Sequence, residues 1–87
     1  MIDVKQAVAI ALKYVLDLEQ TQIINLDLEE VELSPNGNQW YVTVGYERVR
    51  PTPTSLAAVL GANPRIYKIV TINRDTGEPV SLKIRKL

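Results

Sequence analysis

Three observations predict an α+β fold. The apolar pattern of this 87-residue chain switches once, near residue 22, from a period of about 3.6 residues to a period of two. Asn36-Gly37 and Asp75-Thr76-Gly77 each sit between β-patterned runs, where tight antiparallel turns need such residues. The length suits one domain with one core. The reading is a single domain, 1–87, with one N-terminal helix packed on a four-stranded, mainly antiparallel sheet. It predicts a helix over about 3–20, strands over about 23–34, 39–49, 65–74 and 79–86, and a long connection over 50–64.

The helix begins where Asp3 and Gln6 have the spacing of a capping box. At 100° per residue, Val4, Ala7, Ala11, Tyr14, Val15 and Leu18 fall within about 100° of arc, with Val8 at its margin. Gln6, Lys13, Asp17 and Gln20 cluster opposite, while Ile10, Leu12 and Leu16 flank the stripe. In the first strand Ile24, Leu26 and Leu28 alternate with Asn25, Asp27 and Glu29, and Val31 and Leu33 continue in the opposite phase. That phase change predicts a β-bulge or break at Glu29-Glu30.

Ser34-Pro35-Asn36-Gly37-Asn38 is turn chemistry. Trp40, Val42, Val44 and Tyr46 then mark one face of the second strand, and Tyr41, Thr43, Gly45 and Glu47 the other. A glycine inside a strand points to a bulge or a close backbone approach. Pro51 and Pro53 stop this strand; Thr54 or Ser55 can cap a short helical turn, and Gly61 and Pro64 can end it. In the third strand Ile66, Val70 and Ile72 oppose Tyr67 and Ile69, so both faces carry apolar residues. Val80, Leu82 and Ile84 alternate with Ser81, Lys83 and Arg85, which predicts a fourth strand with one wet face.

Composition removes whole classes of chemistry. The chain has neither cysteine nor histidine. Without them there is no disulfide, thiolate metal site or thiol nucleophile, and no imidazole base or ligand. Glycine-rich phosphate loops, dinucleotide fingerprints and nucleophile elbows are also missing. The expectation is a chain that is not an enzyme, with no cofactor and no metal. No run reaches the length of a membrane span, and no signal peptide is read at Met1–Gln6, so a cytoplasmic setting is expected.

The net charge is zero but divided: residues 1–44 carry seven acids against two bases, and residues 45–87 eight bases against three acids. Cross-strand and helix–sheet pairing within one domain accounts for this division. The alternatives are a basic surface for an acidic partner, or head-to-tail self-association into a homodimer. Asp27, Glu29, Glu30 and Glu32 read as a solvated strand face rather than a cation site, because no calcium-loop geometry surrounds them.

The early helix with Ala7 and Ala11, the run Trp40-Tyr41-Val42-Thr43-Val44 and the segment from Tyr67 to Gly77, ending Ile72-Asn73-Arg74-Asp75-Thr76-Gly77-Glu78, carry a likeness. In their order the chain resembles PepSY-like domains, in which a helix packs across a small antiparallel meander. It is also similar to small bacterial immunity proteins of the polymorphic-toxin type. There a loop like Gly61-Ala62-Asn63-Pro64 precedes a strand like Ile69-Val70-Thr71-Ile72 and a Thr-Gly turn. The first resemblance implies binding or peptidase inhibition, the second neutralisation of a toxin by direct contact.

The function expected is therefore a non-catalytic protein-binding module of inhibitor or immunity type. Its partner contact is placed on the 51–64 connection and its flanks, at Arg50, Leu56, Val59, Leu60, Arg65 and Tyr67. Prolines stiffen that segment, the aliphatic residues supply apolar area and the arginines suit an acidic rim. The competing role for Leu56, Val59 and Leu60 is to plug one end of the core. The alternative function is anion or nucleic-acid binding, with Lys83, Arg85, Lys86, Lys68 and Arg74 around Tyr67 on a basic sheet surface. Zero net charge and few aromatic residues weigh against nucleic acid.

Overall fold

A computed structural model describes residues 1–19, 22–48 and 65–85. The 50–64 connection falls outside them, and with it Arg50, Leu56, Val59 and Leu60; so does Lys86. Helix α1 (Val4–Leu18) lies across a sheet of β1 (Ile23–Leu33), β2 (Gln39–Arg48), β3 (Arg65–Asn73) and β4 (Pro79–Ile84). The strands stand in the order β1-β2-β3-β4, each antiparallel to its neighbour. This is the α+β meander that the periodicity predicts.

The helix starts as its sequence asks. The Asp3 carboxylate accepts from the Gln6 amide at 2.8 Å, and the Gln6 side chain accepts from the Asp3 amide at 2.9 Å, satisfying two otherwise orphaned donors. Ala7, Ala11 and Val15 form the buried line of α1, and the two alanines let its backbone approach the sheet closely. Beneath them lie Val42, Val44 and Tyr46 of β2 and Val70 and Ile72 of β3, all fully buried. The ends of the predicted stripe are not core: Val4 is 40% and Leu18 51% exposed. Of the flanking residues, Ile10 and Leu12 pack against the core, whereas Leu16 is exposed.

Both turns close as their residues dictate. The Ser34 amide donates to the Gln39 carbonyl at 2.8 Å and Gly37, at φ 77°, turns the chain between them. The Asn73 side-chain oxygen accepts from the amides of Asp75 and Thr76 at 2.9 and 3.2 Å, an Asx turn that brings β3 round into β4. The start of the chain is tied to this end of the sheet. The Ile2 amide donates to the Arg74 carbonyl at 2.8 Å, and the Trp40 indole donates to the Ile2 carbonyl at 3.3 Å.

Among the described residues three bulges set which side chains reach the core. The predicted one is present: Leu28 pairs with Val44 but Glu30 with Thr43, so Glu29 is the extra residue, and Leu28, Val31 and Leu33 share the helix side. A second bulge, between Ile24 and Asp27, corrects the predicted face of Ile24. Asn25 adopts φ 56°, a left-handed conformation that asparagine tolerates better than most residues. The phase flips there: Ile23 and Leu26 pack against the core, while Ile24 lies opposite Glu47 on the far side. The third bulge corrects β4. Thr71 pairs with Ser81 but Ile72 with Pro79, which leaves Val80 out of register and 53% exposed. Leu82 alone of the predicted apolar trio joins the core, and Ile84 is exposed at the strand's end.

Candidate functional site

Among the described residues no helix or further strand covers the side of the sheet opposite α1, to which Tyr41, Thr43 and Gly45 of β2 and Tyr67, Ile69 and Thr71 of β3 belong. The alternation that puts Val42, Val44 and Tyr46 under the helix forces these residues outward. They are not fully wet, because long charged side chains from the outer strands lean across them.

Arg65 makes the first crossing. Its guanidinium donates to Glu29 at 2.7 Å and to the Asn25 carbonyl at 3.1 Å, and lies 3.6 Å from Glu47. The Glu29 bond holds the guanidinium pKa above its ordinary value. This crossing passes over Gly45, where a Cβ would come within 2.6 Å of the Glu29 carboxylate and 2.9 Å of the Arg65 guanidinium. Gly45 is thus a point of close approach, but the atoms over it belong to side chains and not to the backbone that was expected there. Arg85 makes the second crossing: its Nη1 donates to Glu30 at 3.1 Å and to the Thr43 hydroxyl at 3.2 Å, sealing Thr43 to 4% exposure.

Between and beside these crossings is a hollow of about 370 Å³. Tyr41, Thr43, Ile69 and Thr71 form its floor, and Glu32 and Lys83 stand at its margins with the Glu30–Arg85 pair. Hydroxyls, one aliphatic side chain and charges of both signs make a surface able to contact another protein through mixed polar and apolar area. Among the described residues no group of three acidic side chains is arranged to hold a metal ion.

A third charged cluster sits on the helix side and fixes the helix end. Glu19, the C-cap residue, accepts from the Tyr46 hydroxyl at 2.6 Å and from Arg48 at 3.0 and 3.2 Å. The Arg48 and Tyr46 bonds hold the Glu19 carboxyl below its usual range. Burial, reinforced by the Glu19 bond, pushes the Tyr46 phenol up to about 12. Among the described residues three ion pairs, Glu19–Arg48, Glu29–Arg65 and Glu30–Arg85, join the acidic half of the sequence to the basic half. Internal pairing thus takes up part of the divided charge, engaging three of the seven acids of residues 1–44.

Of the residues singled out from sequence, Arg65 and Tyr67 do share the open face, with the guanidinium 5.9 Å from the ring centroid. Arg65 is engaged within the chain. The basic constellation does not assemble as one surface: Lys83 and Arg85 share the open face with Tyr67, whereas Lys68 lies opposite Val44 on the helix side. Arg74 sits in the β3–β4 turn, 5.8 Å from the Trp40 ring centroid, and donates to the Gly37 carbonyl at 3.1 Å. The alternation along β2 separates Tyr41 and Thr43 from its core-facing residues but does not mark them as a site. The signal was the polar phase of that strand; which side chains would arch over it depends on pairing across three strands.

Compared with protein-family models, curated proteins and solved structures, the chain matches none.

Proposed function

We propose that the chain is a non-catalytic protein-binding module of the inhibitor or immunity type, and that the open face of its sheet is the contact surface. One observation carries the reading. The centre of that face offers tyrosine, threonine and isoleucine side chains, while its charges stand in fixed pairs of both signs. Aromatic area is what protein interfaces concentrate, and prearranged ion pairs lower the ordering cost of contact. A polyanion asks for something different, a row of unengaged cations. On this face Arg65 and Arg85 are held by carboxylates, and Lys83 is the one cation without a carboxylate partner among the described residues. A cytoplasmic setting goes with the reading, since a fold without cysteine needs no oxidising compartment.

The test is capture of a partner from native lysate by the wild-type chain and by an Ile69→Lys/Thr71→Arg variant. Both positions are half-exposed, so the fold should persist, as checked by circular dichroism. The expected result is one protein captured by the wild type and reduced at least about tenfold by the variant. Equal capture by both would sink the open-face reading. Micromolar binding of single-stranded oligonucleotides that collapses as salt rises would replace it with an anion-binding one.

A further inference from the structure

We infer that the outer edge of β1 is a strand-addition site for a partner segment in which apolar residues alternate with lysine or arginine. This edge borders the hollow and shares Glu32 with it, but its backbone groups and its apolar groove lie outside the hollow, and the inference does not rest on the open-face reading.

The first ground is the backbone. β1 ends the sheet, and among the described residues no strand pairs with its outer side. The hydrogen bond from Ser34 to Gln39 sets the alternation of the ladder. Counting back from it, Glu32 and Glu30 exchange hydrogen bonds with β2, while the N–H and C=O groups of Val31 and Leu33 point outward. Both bulges lie before this stretch, so Glu30 to Leu33 is regular and able to pair.

The second ground is apolar. The helix overhangs this edge, and between them runs a groove of about 340 Å³ lined by Val4, Val8, Leu28 and Val31 with Lys5. Leu28 and Leu33 remain 37% and 39% exposed along the same side. A strand laid against β1 would send every second side chain into that groove.

The third ground is charge, and it specifies the partner. The remaining side chains of an added strand would emerge on the other side, beside the carboxylates of β1. Glu29 and Glu30 are turned inward to Arg65 and Arg85, but Asp27 and Glu32 have no cationic partner among the described residues. Apolar groups toward the groove and cations toward Asp27 and Glu32 give the alternating pattern. A second copy docking by its own β1 would instead oppose carboxylate to carboxylate, which disfavours symmetric self-pairing.

The experiment titrates the full ¹⁵N-labelled chain with a blocked seven-residue peptide alternating valine and lysine. Two controls accompany it: the same peptide N-methylated at alternate residues, and a copy with glutamate for lysine. Strand addition predicts amide exchange slowed at least tenfold at Val31 and Leu33, and at least tenfold weaker binding of both controls. Glu32→Lys should weaken the lysine peptide and strengthen the glutamate peptide. The N-methylated control leaves the protein unaltered, so its result holds even if a variant folds poorly. Unchanged exchange at Val31 and Leu33 under millimolar peptide would overturn the inference, as would equal binding of the N-methylated copy. So would sedimentation showing that the chain self-associates and already protects those amides.

Discussion

The two sides of the sheet are made by the same strands and differ in nearly everything else. Toward α1, Val42, Val44, Tyr46, Val70 and Ile72 are closed off completely. Toward solvent, their immediate neighbours Tyr41, Ile69 and Thr71 are half-exposed beneath salt bridges. Burial of each large aliphatic side chain on the first side contributes roughly 1.5–3 kcal/mol. A partly exposed ion pair on the second contributes on the order of 0–1 kcal/mol. Stability is therefore concentrated on one side, leaving the composition of the other open to a binding role. Both sides hang on one backbone, so substitutions an odd number of residues apart on a strand probe the same ladder from opposite faces.

The sharpest contrast should come from β3. Ile72→Ala is expected to lower the unfolding free energy by about 2–5 kcal/mol, and Ile69→Ala by less than about 1 kcal/mol, in paired urea titrations. Comparable losses would mean that the open side is a second core.

Next in size is the lock at the helix end. Tyr46→Phe should cost about 1.5–3 kcal/mol, because it removes a buried hydroxyl donating to a carboxylate. The phenol pKa is raised to about 12 from an ordinary 10. Its contribution is therefore complete below about pH 10 and lost as pH climbs through about 12. The wild type should lose urea resistance over that window, and Tyr46→Phe should lose less. Glu19 runs the other way: its depressed pKa gives stability present above its unfolded value of 4.5 and lost as pH falls through the lower folded value. Glu19→Gln should flatten that acid limb, and an acid limb as steep as the wild type's would contradict the assignment.

Gly45→Ala is expected to have an intermediate effect, near 1 kcal/mol, because the new methyl displaces the Glu29–Arg65 pair rather than backbone. A double-mutant cycle over Glu29 and Arg65 should show coupling with glycine present and almost none with alanine. The smallest effect should follow Glu30→Gln, at most about 1 kcal/mol and shrinking as salt is added. A larger, salt-independent loss would show that sealing Thr43 contributes more than the ion pair does.

The elements were legible because each carries a local signal: the Asp3 and Gln6 cap, the period switch, the two turns, and the phase change at Glu29. The flips at Asn25 and Val80 were not. A non-glycine residue in left-handed geometry leaves no mark in an alternation pattern, and the Val80 bulge shows only once β3 is in place. The candidate surface was half legible for the same reason. Tyr67 and Arg65 could be put on one face by counting residues. The partners of Arg65 and Arg85, 36 and 55 residues away along the chain, could not.

The bonds that hold Ile2 have a consequence for the order of assembly. Its carbonyl waits for the indole on β2 and its amide for the carbonyl that opens the β3–β4 turn, so the helix has no complete mooring until both hairpins exist. Until then the capping box alone sustains a helix of 15 residues, a length at which isolated helices are marginal in water. The expectation is that α1 docks late in folding: Ala11→Gly should accelerate unfolding while leaving the refolding rate almost untouched, and slowed refolding would place the helix in the folding nucleus instead.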